Sequence, residues 1–316
     1  MTVGSAVGGG GGERGGRRLP RAFHEAPLVV FTALGVAGAG VGAGRILLGA
    51  TGEAAWATPQ GEALVVLLLL LLGTAASSFH LGRPLRAGLA LRGMGRSALT
   101  AEVLALGAAV VAAGLAAFLP VASTTGYLGG ILLPWLSLGV LLTLGTVYRL
   151  PGQVGWEGSA FLRPLALGTL FGMVAQGAAG NWDAGGVALG VFLLVCLADA
   201  FLLLLHSRRL EGERGRAQPS HPALFARRRP LLALRLVLVN GVALLGLLLA
   251  LVEGALPPGH GLAWTLQIKL VSVAAGVLLD RFLFYALAAR RTTEGEVGRV
   301  EDALRQRPVT PQRSAI

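Results

Sequence analysis

Long apolar blocks alternate with short polar ones along this chain. About eight of the blocks reach the roughly 20 residues that a helix needs to cross a bilayer. They fall at 27–49, 62–81, 98–119, 128–149, 162–181, 186–206, 231–252 and 262–289, and each is rich in Leu, Ala, Val and Gly. None alternates with the period of two that a membrane β-barrel strand requires. The pattern predicts an all-α, polytopic membrane bundle of about eight transmembrane helices. It divides the chain into a Gly/Arg-rich tail over 1–24, a membrane domain over 25–290 and a polar C-terminal tail over 291–316. The tail sequence GGGGGERGG buries too little apolar surface to fold. Arg17-Arg18 ahead of an apolar run invites a twin-arginine signal reading, but the run is long enough to span and has no clear cleavage site.

The most telling polar block joins the second and third spans, Ser77 to Glu102. His80 lies in the last turn of the incoming helix. Gly82 and Pro84 stop that helix, since glycine takes the left-handed C′ position and proline cannot continue. Ser97 is placed to cap the next helix. Glu102 follows about one turn in, near the positive end of the helix dipole. A histidine and a carboxylate thus face one membrane boundary from adjacent helices. Ionisable groups there are costly unless they are used.

Composition supports the membrane class: 54% of residues are hydrophobic and 14% charged, with a mean hydropathy of +0.69. The net charge of +11 does not point to nucleic acid. The arginines fall almost wholly on one set of loops, from Arg14–Arg21 through Arg83–Arg96, Arg149 and Arg163, Arg208–Arg229, to Arg290 and Arg291. The alternate loops near 50–61, 120–127, 181–186 and 253–261 hold no Lys or Arg. The positive-inside rule makes the arginine face cytoplasmic, and an even number of spans puts both termini there. The segment 207–230 is expected to be a solvated connector.

The single cysteine, Cys196, lies inside a span. It leaves no Cys-x-x-Cys set for zinc or an iron–sulfur cluster, so metal centres for any redox chemistry would belong to another subunit. Cys196 itself reads as a small core residue. A bis-histidine haem would have only His80 and His206 to use, without a supporting motif. Gly38, Gly40, Gly42 and Gly44 give the first span a small-residue face, and Gly168 and Gly172 give one to the fifth. Such faces bring helices close together.

His80, Glu102, Tyr148, Asp199, His206, Arg235, Asp280, Arg281 and Tyr285 lie in or beside spans, mostly in the half nearer the arginine face. Together they suggest a polar pocket able to hold a ligand that exchanges protons. Plainer readings stand beside this one. Arg235, Tyr148 and Tyr285 suit interfacial anchoring, and Asp280 with Arg281 suits a structural ion pair. His206 suits the interface and Lys269 snorkelling, while Gln176 and Asn240 suit helix–helix hydrogen bonds. Asp199, a lone carboxylate in a helix, demands a partner.

Several of these segments resemble the membrane-anchor subunit family of dimethyl sulfoxide reductase. They are His24-Glu25-Ala26-Pro27-Leu28 and His80-Leu81-Gly82-Arg83-Pro84-Leu85-Arg86-Ala87, with Ser97-Ala98-Leu99 and Glu102 after it. Val147-Tyr148 with Trp156, and Arg235, Gly276 and Arg281–Tyr285, are similar to later parts of that family. Two positions depart from it: Val277 stands where the family often has a glutamate, with Asp280 one turn further on, and Ala101 stands where an arginine or asparagine commonly precedes the acid. The resemblance implies an eight-helix anchor without haem or iron–sulfur cluster in this chain, set in the plasma membrane. Such an anchor binds a quinol, typically menaquinol, and docks a four-cluster iron–sulfur subunit that feeds a molybdopterin catalytic subunit. His80 and Glu102 would then be the proton-handling pair. Arg83, Tyr148, Asp280, Arg281 and Tyr285 would surround the headgroup, in a niche of the second, third and eighth helices. A proton-coupled transporter using Glu102, Asp199 and Asp280, or a scaffold without redox chemistry, are the alternatives from other classes.

Overall fold

A computed structural model of the chain describes residues 26–51, 57–80, 97–147, 153–154, 159–179, 186–212, 217–219, 222–245, 248, 262–291 and 297. Helices dominate in this order: α1 (Ala26–Thr51), α2 (Gln60–His80), α3 (Ala98–Phe118), α4 (Thr124–Val147), α5 (Ser159–Ala178) and α6 (Gly186–Gly212). After a short α7 (Pro222–Ala226) come α8 (Arg228–Leu236), which runs on into a π-helical turn at Val237–Gly241, and α9 (Leu262–Ala286). Every window expected to span contains helix. Among the described residues, five helices are long and apolar enough to cross a membrane: Ala26–Ile46, Gln60–Ser78, Ala98–Phe118, Thr124–Val147 and Gly190–Gly212. The expected eight spans are therefore met by five, with α5, α8 and α9 interrupted by charge or only partly described.

Helix α1 is the hub. It packs on α2, α4, α5 and α9, while α3 packs on α4 and α2. Its glycines explain how one helix meets so many partners. A side chain at Gly40 would strike the carbonyl of Gly168, and one at Gly172 would strike the carbonyl of Gly40. Gly44 lies against the backbone of Gly172, Gly42 against Ser137 on α4, and Gly38 against Leu69 and Leu70 on α2. The two small-residue faces read from the sequence thus meet each other, and α1 and α5 touch backbone to backbone. Around this contact Val36, Ala39, Leu70, Leu133, Leu141, Leu167 and Leu170 form the apolar core. Cys196 belongs to that core, as expected.

Pro134 inside α4 removes one helical hydrogen bond and frees the carbonyl of Gly130. The backbone N–H and the hydroxyl of Thr58 both donate to that carbonyl, at 3.1 Å each. Ser97 is the N-cap of α3, with the expected extended backbone but without a side-chain capping bond.

Two expectations change. The segment 207–230 is not a plain connector: α6 runs through to Gly212, and Ala217–Pro219 forms a strand. That strand (β2), with Gln153–Val154 (β1) and Ala289–Arg291 (β3), makes a minimal antiparallel sheet in the order β1-β3-β2. The sheet ties three loops of the arginine face together, a non-local pairing that apolar periodicity cannot reveal. The tail 1–24 lies outside the described residues, as does the tail 291–316 apart from positions 291 and 297.

Gly172→Ala should destabilise the helix bundle by about 1–3 kcal/mol, because neither backbone can yield. Gly114→Ala, where nothing lies within 4 Å, should be neutral or stabilising. Thermal unfolding of the two variants in detergent checks the contrast.

Candidate functional site

The polar residues separate into three groupings. The largest is a buried ionic network formed by α5, α6, α8, the π turn and α9. Arg235 is fully buried. Its Nη2 donates to Asp199 Oδ1 at 2.7 Å, its Nη1 donates to Asp199 Oδ2, and its Nε donates to Asp280 Oδ1 at 2.9 Å. Asp280 also accepts from Arg163 Nη2 and from Arg281, whose Nε lies 3.0 Å from Oδ2. All five side chains have 2% exposure or less. Ions removed from water in this way each cost several kcal/mol unless they are paired and hydrogen-bonded, and here every carboxylate oxygen is engaged.

The π turn explains part of the geometry. Five residues along an α-helix two side chains point well apart, whereas the i→i+5 winding of a π turn brings them to one face. Arg235 Nη1 accordingly reaches Asn240 Oδ1 at 3.3 Å, and Asn240 Nδ2 donates to the Cys196 carbonyl at 2.9 Å. Arg235 and Asn240 therefore grip α6 at two points one turn apart. Gly276 of α9 admits Val239 of the same turn at a distance no side chain would allow. Ser272 donates to the Leu238 carbonyl at 3.2 Å.

The second grouping is Glu102 at the start of α3. It is 4% exposed, and its Oε1 has no hydrogen-bond partner among the described residues. His80 is the last residue of α2, the helix against which α3 packs. The histidine and the acid thus stand at the same end of neighbouring helices; the His80 side chain lies outside the described residues, as do Arg83 and Tyr148.

The third grouping was not foreseen. At the other end of the bundle Arg45 Nε lies 3.7 Å from Glu62 Oε2, and Gln176 Nε2 donates to Glu62 Oε1 at 2.7 Å and to the Val41 carbonyl at 3.4 Å. Arg45 and Glu62 sit at the edges of apolar windows, where a charge reads as a flank.

Of the residues expected to share one pocket, the structure joins Asp199, Arg235, Asp280 and Arg281. It sets Glu102 on helices that pack elsewhere: α3 against α2 and α4, α9 against α1, α5 and α8. Tyr285 is buried against Val29 of α1 and meets Phe284 edge to face at 5.4 Å. Several plainer readings are overturned. Arg235 is no interfacial anchor, because Asp199 fills its fork and Asp280 accepts from its Nε. His206 and Lys269 are buried rather than interfacial, at 2% and 7% exposure. Arg163, read as a loop arginine, is a network member, and Arg228 is packed over the Phe225 ring at 4.7 Å. The signal for Arg163 was present: it stands inside an apolar window, one residue before Pro164. Gln176 and Asn240 do make the expected helix–helix bonds.

Residues 20–148 match the sequence model of the DMSO reductase anchor subunit (DmsC). No curated protein and no solved structure matches the chain. The matched stretch covers α1 to α4, with His80, Arg83, Glu102 and Tyr148. The ionic network lies beyond it.

Asp280→Asn leaves three buried guanidinium groups sharing one carboxylate and should cost about 3–5 kcal/mol. Glu211→Gln, which removes the half-buried partner of the exposed Arg229 and a carboxylate 3.9 Å from Arg228, should cost about 1 kcal/mol. Yield and unfolding temperature of the two variants in mild detergent decide this.

Proposed function

We propose that this chain is the membrane anchor of a DMSO reductase-type oxidoreductase and that it oxidises menaquinol where α2 ends and α3 begins. The match over residues 20–148 supports the anchor role. The observation that carries the chemistry is the Glu102 carboxylate, buried with an oxygen left unpartnered among the described residues. An acceptor in that state is costly unless a donor arrives, and a quinol hydroxyl is such a donor.

Oxidation breaks two O–H bonds and forms two carbonyls, releasing two protons and two electrons. His80 takes a proton from one hydroxyl, since an imidazole accepts protons near neutral pH. Glu102 takes the second proton or passes the first outward. The electrons leave for a four-cluster iron–sulfur subunit and from there for a molybdopterin catalytic subunit. Arg83 fixes the connecting segment or meets the iron–sulfur partner, and Tyr148 borders the headgroup. Asp280 and Arg281 belong to the ionic network of the second half of the bundle and do not border this headgroup. The chain lies in the plasma membrane with its arginine loops and both termini in the cytoplasm.

A transporter relay has less support. Asp199 and Asp280 are held by arginines, and the backbone contact of α1 with α5 separates the network from the Arg45–Glu62 grouping. A scaffold would leave Glu102 Oε1 without a donor among the described residues.

His80→Gln and Glu102→Gln should each lower quinol-dependent reduction of the iron–sulfur partner by about 10²–10⁴-fold, with the complex still assembled. An unchanged rate in His80→Gln would remove that residue from the mechanism.

A further inference from the structure

The ionic network does not balance. It holds three guanidinium groups, Arg163, Arg235 and Arg281, against two carboxylates, Asp199 and Asp280. Among the described residues one formal positive charge is left over, and the place where it is unmet is specific. Arg235 has its fork and its Nε filled, and Arg281 is paired with Asp280 and packed over Phe284 at 5.3 Å. Arg163 spends only Nη2 on Asp280; its Nε and Nη1 have no partner among the described residues, although the side chain is 2% exposed. A guanidinium cannot shed its proton to escape the cost. Water could satisfy the N–H groups but would leave the charge.

We infer that Arg163 binds an anionic oxygen-bearing group carrying a single negative charge, and that the phosphodiester of an anionic phospholipid supplies it. Nε and Nη1 lie on different edges of the guanidinium, so one compact acceptor atom cannot serve both. A group that spreads one negative charge over two oxygens meets the Nε edge or the Nη1 edge and leaves the other N–H to water. The depth fits: Arg163 is four residues from the start of α5 at Ser159, about 6 Å along the helix from the arginine-face end, where headgroups lie. The neighbouring surface fits as well. Leu162, next to Arg163 on α5, is exposed at 41%, so an apolar side chain is available for acyl chains to cover. Basic sites between helices near a membrane face are suited to such headgroups. Free inorganic phosphate offers the same oxygens without the chains.

The test uses the full chain in its membrane complex. The complex is transferred into nanodiscs of phosphatidylcholine alone, of phosphatidylcholine with phosphatidylglycerol, or of phosphatidylcholine with inorganic phosphate added. The phosphatidylglycerol discs should raise the unfolding temperature of the anchor, and native mass spectrometry of the detergent-purified complex should retain about one anionic phospholipid per chain. Arg163→Lys keeps the pairing with Asp280 but loses the planar donor set. It should lower anionic-lipid retention on the order of tenfold. Equal stabilisation by inorganic phosphate in phosphatidylcholine discs would overturn the lipid assignment. Equal stability in all three discs, or unchanged retention in Arg163→Lys, would overturn the site itself.

Discussion

A buried guanidinium inside a membrane helix bundle persists only where carboxylates meet it, and Arg235 is the place where this chain meets that demand. Its fork holds Asp199 of α6 and its Nε holds Asp280 of α9. Asp280 draws in Arg163 of α5 and Arg281 of its own helix. One arginine thereby organises four helices that apolar packing alone would leave free to slide, since lipid tails are as apolar as leucine. The π turn after Arg235 is part of the same arrangement, because it turns Asn240 to the same face and adds a second grip on α6.

The other half of the bundle is built differently. Helices α1 to α4 carry few buried charges and rely on small residues and on satisfied backbone groups, as with Thr58 at the carbonyl freed by Pro134. Helix α1 joins the halves, packing through glycines on α5 and meeting α9 near Val29 and Tyr285. Against this background Glu102 stands out: the Asp199 and Asp280 carboxylates are fully engaged, whereas Glu102 keeps an oxygen open among the described residues. The arrangement sets a half with one open buried carboxylate against a half fastened by ion pairs.

The helical class and most helix positions were legible because each apolar window is itself the signal. The glycine faces were legible too, since spacing by four places small residues on one side. The network was half legible. Asp199 announced its need for a partner, but spacing gives no direction, and the partner proved to be Arg235, which its place near a window edge made look interfacial. Arg163 stands inside an apolar window, but at a helix start, where arginines usually face water, that signal reads as a loop arginine. The Arg45–Glu62–Gln176 grouping and the small sheet were hidden because each is assembled from distant segments. His80 and Glu102 were singled out from the sequence by the stop and cap signals around them, and the match over residues 20–148 covers both.

The central claim is that the quinol headgroup sits at the α2–α3 end and not in the ionic network. Photolabelling the purified complex with an azido-quinone, followed by peptide mapping, tests it directly. The account predicts labelled peptides from the stretch between His80 and Glu102, with loss of label when excess menaquinone analogue competes. Competable labelling confined to peptides of α5, α6 and α9 would contradict it.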